Sequence, residues 1–171
     1  MTARGIRETE SKSIRMFLQH HADFLRGDVL DYGCGTQPYR TLVEESGGVY
    51  HGFDRNVFPG RIEGVGNVGS GVPNVLFDTV VCTQVIQYVD DAPWLLRQIS
   101  SRLKTGGVLL LTGPGNWPEV EPDDIVRYTR SGIEHYLTLG GWEDVVVHNR
   151  HGIAVNDIRL SLGWAAWAVK P

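Results

Sequence analysis

Residues 28–38 read Asp28-Val29-Leu30-Asp31-Tyr32-Gly33-Cys34-Gly35-Thr36-Gln37-Pro38. A short apolar run that ends in two glycines one residue apart has the form of a buried strand closed by a tight turn. Glycine at such a turn accepts backbone angles that other residues avoid, and it lets a ligand approach the main chain closely. The fold depends on what surrounds this unit.

On its amino side, Ile14, Phe17, Leu18, His21 and Leu25 fall at helical spacing, which predicts an amphipathic helix over about residues 10–25. On its carboxyl side, Tyr39, Leu42 and Val43 mark a second helix that stops at Gly47-Gly48, and Val49–Asp54 reads as a second strand. Phe77–Thr83 is β-branched and apolar, as a strand covered on both faces should be. Asp91 followed by Pro93 opens a helix carrying Leu95, Leu96, Ile99 and Leu103, which is expected to end at Gly106-Gly107. Val108–Thr112 is another buried strand. Ser131 and Glu134 have capping-box spacing ahead of Ile133, Tyr136 and Leu137, and Gly140-Gly141 ends that helix. Trp142–His148 alternates like a more exposed strand, and Trp164–Val169 reads equally as strand or helix. Repeated strand–helix–strand units predict an open, mostly parallel α/β sheet in a single domain of residues 1–171. Ligands of such sheets bind beyond the carboxyl ends of the strands, so residues just after each strand become the candidates.

Composition narrows the classes. The chain has 171 residues, 42% hydrophobic and 21% charged, enough for one sizeable core without disulfides or metal. Glycine is over-represented at 21 residues, against an average near 7%, yet without a collagen period. The formal charge of −4 gives no basic footprint for nucleic acid or an anionic membrane. Two cysteines, Cys34 and Cys82, are too few for a disulfide scaffold, and the six histidines lack metal-ligand spacing, so no metal is expected. With a charged amino end and no apolar run near 20 residues, the expectation is a cytoplasmic protein that neither enters a membrane nor carries a signal peptide.

Strand ends speak to the ligand. A dinucleotide fingerprint would need a third glycine at position 38, which is Pro38. Asp31 beside the turn suits a ligand with positive charge rather than a pyrophosphate. Asp54, after the second strand, is placed to accept both hydroxyls of a ribose. Together these favour an adenosyl ligand with a cationic amino-acid tail.

Val29–Thr36 resembles the first motif of class I S-adenosylmethionine-dependent methyltransferases. Phe77-Asp-Thr-Val-Val-Cys-Thr-Gln-Val-Ile-Gln-Tyr-Val resembles their fourth-strand motif, and Leu103–Thr112 their helix-to-fifth-strand step. The likeness runs from about Asp28 to Arg150. Within the class, Gly33–Tyr39 and Asp124–Ile133 are similar to a subgroup often encoded with surface-polysaccharide or natural-product genes. The resemblance implies a three-layer Rossmann-like methyltransferase sheet, mostly parallel with an antiparallel final strand. Residues 28–113 would form its cofactor half and 114–171 its substrate side. It implies S-adenosylmethionine as cofactor, S-adenosylhomocysteine as product, and methyl transfer to a small molecule such as a sugar or natural-product intermediate.

By the same resemblance, Gly33, Cys34 and Gly35 would pass beneath the methionine part, with Asp31 holding the turn and the ammonium group. Asp54 would take the ribose and Arg55 would lie beside the adenine. Asn67 would face the adenine amino group where the family has an Asp, and Val68 would offer its N–H to the ring. Thr83 and Gln84 would close the other side of the methionine. The chain departs from the pattern at Gln37, which stands for a third glycine, and at Gln87 and Tyr88, where a Glu-His pair is common. The glycine-rich stretch from Arg55 to Val75 replaces a helix. Weak candidates for a general base are Tyr88, Glu119, Glu121, Asp123 and Tyr128, with Trp117 a candidate pocket wall, although solvated loop acids are the ordinary reading. Cys82 reads as a small buried thiol, His20-His21 as solvent or interface residues, and Trp164 and Trp167 as core. Two other readings remain at this stage: a nicotinamide-dependent oxidoreductase, and a degenerate methyltransferase fold used as a binding subunit.

Overall fold

The computed structural model describes residues 3–55, 75–116, 124–155 and 158–171. Its elements are α1 (Ala3–His20), β1 (Gly27–Tyr32), α2 (Arg40–Glu45), β2 (Gly48–Phe53) and β3 (Phe77–Thr83), followed by α3 (Ala92–Ser100), β4 (Leu103–Pro114), α4 (Arg130–Leu139), β5 (Glu143–Val155) and β6 (Ile158–Val169). Among the described residues the strands form one sheet in the order β2-β1-β3-β4-β6-β5. β2, β1, β3 and β4 run parallel, and β6 lies antiparallel between β4 and β5. The expected mostly parallel α/β sheet with an antiparallel final strand is what forms.

Strand alternation divides the core into two layers, because successive side chains point to opposite faces. Leu30, Val80, Cys82, Leu109 and Leu111 face α3 and α4, joined there by Trp164, Ala166 and Ala168. Val29, Val81, Val108, Leu110 and Ala165 face the other way, against Ile14, Phe17 and Leu18 of α1 and Leu42 and Val43 of α2. Each such fully buried aliphatic side chain contributes about 1.5–3 kcal/mol. The tail left open by its composition is strand β6: its alanines give it a flat face that fits beside the bulky leucines of β4, in register Leu109↔Ala168 and Leu111↔Ala166.

Several expected boundaries move. The amino-terminal helix covers Ala3–His20 rather than 10–25, and a 3-10 turn at Ala22–Phe24 brings in the buried Leu25. Apolar spacing marks only the buried face, so it did not see the charged first turns. α3 stops at Ser100 instead of running to Gly106, because Arg102 and Leu103 are recruited by β3: Phe77 N–H donates to Arg102 C=O at 2.8 Å, and Leu103 pairs with Phe77. Asp91 does cap α3, accepting from Trp94 N–H at 2.8 Å. α4 is capped by Thr129, whose hydroxyl accepts from Gly132 N–H at 3.0 Å, and not by Ser131, which lies inside the helix. Among the described residues no helix is long and apolar enough to cross a membrane.

Candidate active site

The carboxyl ends of β1, β2 and β3 converge on the turn at residues 33–37. Gly33 and Gly35 take φ values of 79° and 51°, in the left-handed region that glycine enters without a steric penalty. Both Gly33 N–H and Cys34 N–H donate to Phe53 C=O, at 2.7 and 2.9 Å, which ties the turn to the end of β2. Gly35 N–H donates to Asp54 Oδ2 at 2.8 Å. A side chain at Gly33 would run into Val85 beyond β3, so the turn lies flat under that residue.

Asp31 is 1% exposed. A carboxylate so deep requires donors or cations around it, and the Tyr50 hydroxyl donates to its Oδ2 at 2.7 Å. Burial and the neighbouring Asp31 charge push the Tyr50 phenol far above its ordinary pKa, so Tyr50 remains a donor. Gly52 pairs with Asp31 across the strands, and a Cβ there would press on Tyr50, Cys34 and Gln37. Tyr39, the residue before α2, bonds to the Thr83 side chain. Burial and Asp31 raise its pKa to about 12, Arg150 opposing them.

On the other side of the turn, Gln84 takes φ 55°, and its N–H donates to Thr112 C=O at 3.1 Å. Gln87 is buried; its amide donates to Gln84 C=O at 3.0 Å, while its C=O accepts from Ile125 and Val126 N–H, at 3.1 and 3.2 Å. Those bonds draw the segment beyond β4 back to the site. The Arg55 guanidinium lies 6.0 Å from the centre of the Tyr88 ring, within cation–π range. Arg55 follows β2 and Tyr88 follows β3, so the contact spans the end of β1.

The structure therefore gathers Asp31, Gly33, Cys34, Gly35, Asp54, Arg55, Thr83, Gln84 and Tyr88 at one end of the sheet. Tyr128 is not with them: it packs edge-on against Tyr136 at 5.9 Å, and burial, Tyr136, Asp91 and Asp90 raise its pKa. Asn67, Val68, Trp117, Glu119, Glu121 and Asp123 lie outside the described residues. Cys82 is fully buried, and burial pushes its thiol well above the ordinary range, as a packing residue requires. Trp164 is core, its indole N–H donating to Tyr128 C=O at 3.0 Å. The His20-His21 reading is corrected in part: His21 packs on Phe17 at 4.7 Å and its Nδ1 meets Phe17 C=O at 2.9 Å. Sequence reasoning missed Tyr39 and Tyr50. The signal for Tyr50 was present in Gly52, since a glycine inside a strand marks a close approach. Among the described residues no group of His, Cys, Asp and Glu is arranged to hold a metal ion.

A parallel sheet with an antiparallel last strand inserted beside β4, and a glycine turn over a buried acid at the end of β1, defines the class I methyltransferase architecture. A family model described as a methyltransferase domain matches residues 5–156, and the chain belongs to that family. It is an S-adenosylmethionine-dependent methyltransferase, which sets aside the nicotinamide reading. Its fold is shared by an S-adenosylmethionine-dependent methyltransferase from Archaeoglobus fulgidus, at 17% identity, TM-score 0.71, and coverage of 95% of this chain and 94% of that one. It is shared also by DhpI in complex with S-adenosylhomocysteine, at 17% identity, TM-score 0.74, and coverage of 99% and 88%. Phosphoethanolamine N-methyltransferase 2 of Haemonchus contortus is similar at 19% identity and TM-score 0.64, with 85% of this chain covering 49% of that one. No curated protein matches the chain in sequence.

Proposed function

We propose that the chain transfers the methyl group of S-adenosylmethionine to a small-molecule acceptor, with the cofactor lying across the turn at Gly33–Gly35. The observation that carries the reading is the pairing of that flat, left-handed turn with the buried Asp31 carboxylate beneath it. Asp31 attracts the ammonium of the methionine part, and Tyr50 fixes the carboxylate in place. Gly33, Cys34 and Gly35 supply backbone beneath the ligand, while Thr83 and Gln84 bound it from β3. Asp54 accepts the ribose hydroxyls and keeps its orientation through Gly35 N–H. Arg55 stands beside the adenine, with Asn67 and Val68 assigned to the ring edge.

The cofactor supplies an electrophilic methyl on a sulfonium. In-line attack on it depends above all on holding the acceptor atom at the right distance and angle. Tyr88, held against Arg55, is the described residue best placed to orient an acceptor. Where the acceptor must lose a proton, Glu119, Glu121 and Asp123 are the candidate bases and Trp117 the candidate wall; Tyr128 is too engaged in packing to serve. Two free, buried cysteines suit a cytoplasmic enzyme.

Calorimetry and a methyl-transfer assay test the reading. S-adenosylhomocysteine should bind in the micromolar range, and its release should require a hydroxyl- or amine-bearing small molecule. Absence of S-adenosylmethionine binding at millimolar ligand would favour a binding subunit, and turnover with RNA or protein alone would overturn the acceptor class.

A further inference from the structure

Arg150, in β5, is the most buried cation for which a partner is described, with a side chain 1% exposed. Its Nε donates to Trp164 C=O on β6 at 3.0 Å, its Nη1 to the Ser13 hydroxyl, and its Nη2 to the Glu10 carboxylate. Glu10 and Ser13 lie three apart on α1 and so share a face. The place is built for the guanidinium: position 163 is glycine, and a Cβ there would strike Arg150 Nη2. Glu10 is itself only 12% exposed.

Such a pair is a poor way to attach a helix. Desolvating two charges offsets much of their attraction, and apolar residues of equal volume often serve stability as well. α1 already has Ile14, Phe17 and Leu18 in the core. What the pair adds is direction, because a guanidinium with three assigned partners permits one placement of the helix. That placement concerns the site, since the Tyr39 phenol, bonded to Thr83, lies within electrostatic reach of Asp31, Arg150 and Glu10 together.

Given the cofactor reading above, we infer that Arg150 is a positioning residue, which with Glu10 fastens α1 beside the methionine end of the cofactor site. Five elements meet there: α1, β1, α2, β3 and β5. The zwitterionic end of the ligand would then face a charge pattern set by Asp31, Glu10 and Arg150, whereas the adenosyl end depends on β2 and owes nothing to the fastening.

Two ligands separate the ends. S-adenosylhomocysteine carries the amino-acid group; 5′-methylthioadenosine keeps the adenosyl part without it. The variant to use is Glu10→Leu/Arg150→Met, which removes both charges together and leaves neither stranded. Its urea midpoint should stay near that of the wild type, and its affinity for 5′-methylthioadenosine should be unchanged. Affinity for S-adenosylhomocysteine should fall at least tenfold. Equal affinity for S-adenosylhomocysteine, or an equal loss for both ligands, overturns the inference. If the double variant proves unstable, Ser13→Ala decides: a loss of about threefold confined to S-adenosylhomocysteine supports the role, and no selective loss overturns it. A wild-type protein that binds neither ligand defeats the cofactor reading itself, a result distinct from all of these.

Discussion

Replacing Gly33 by alanine tests the geometry of the turn directly, because two separate penalties fall on one methyl group. At φ 79° an L-residue is strained, at about 1–2 kcal/mol. The new Cβ would also run into Val85 Cγ2, and overpacking of this kind costs about 1–3 kcal/mol. Gly33→Ala should therefore lose roughly 2–5 kcal/mol, a large part of the 5–15 kcal/mol that holds an ordinary domain together. With a urea slope near 2 kcal/mol/M, the unfolding midpoint falls by about 1–2 M. Val85→Ala alone should cost about 1–2 kcal/mol for lost burial. Because only the steric half involves Val85, the double variant should recover most of the overpacking and leave the backbone strain. A urea cycle on the four proteins should give a favourable coupling of at least 1 kcal/mol. Additivity within about 0.5 kcal/mol would refute the placement of Val85 over the turn.

Three other outcomes follow from the site and its surroundings. Asp54→Ala should weaken S-adenosylhomocysteine binding at least tenfold, about 1.4 kcal/mol; unchanged calorimetric affinity would remove Asp54 from the ribose. His148 has its pKa lowered by burial and by His21, His20 and Arg150, so below pH 6.5 the unfolded chain binds the proton more readily than the folded one. Stability should then fall as pH drops through 6.5 toward the lower folded value, and His148→Gln should flatten that part of a melting-temperature profile. Cys82, buried and with its thiol pushed upward, should resist iodoacetamide in the native protein and react in urea, as mass spectrometry would detect.

Much of this architecture could be read from local pattern. Val29-Leu30, Val80–Cys82 and Leu109–Leu111 announce strands buried on both faces, and the parallel sheet follows from the helices between them. Boundaries set by partners could not be read in the same way. Leu103 looks helical from its own neighbours, and only Phe77, 26 residues away, makes it a strand. Trp164–Val169 is ambiguous until β4 lies beside it. At the site, glycines and acids just after strands were visible because backbone conformation and charge leave marks at fixed positions. Tyr39, Tyr50 and Arg150 escaped because each reaches the site from an element whose approach only the assembled sheet defines.

The insertion of β6 between β4 and β5 has a bearing on how the enzyme is made. During synthesis β5 emerges before the strand that will join it to the sheet, so it must wait without a hydrogen-bonding neighbour. Only when β6 arrives can Arg150 reach Trp164 C=O and meet α1, the first helix to leave the ribosome. The chain thus closes its oldest segment onto its youngest, and a nascent protein missing its last strand would hold the glycine turn without the surroundings that complete it.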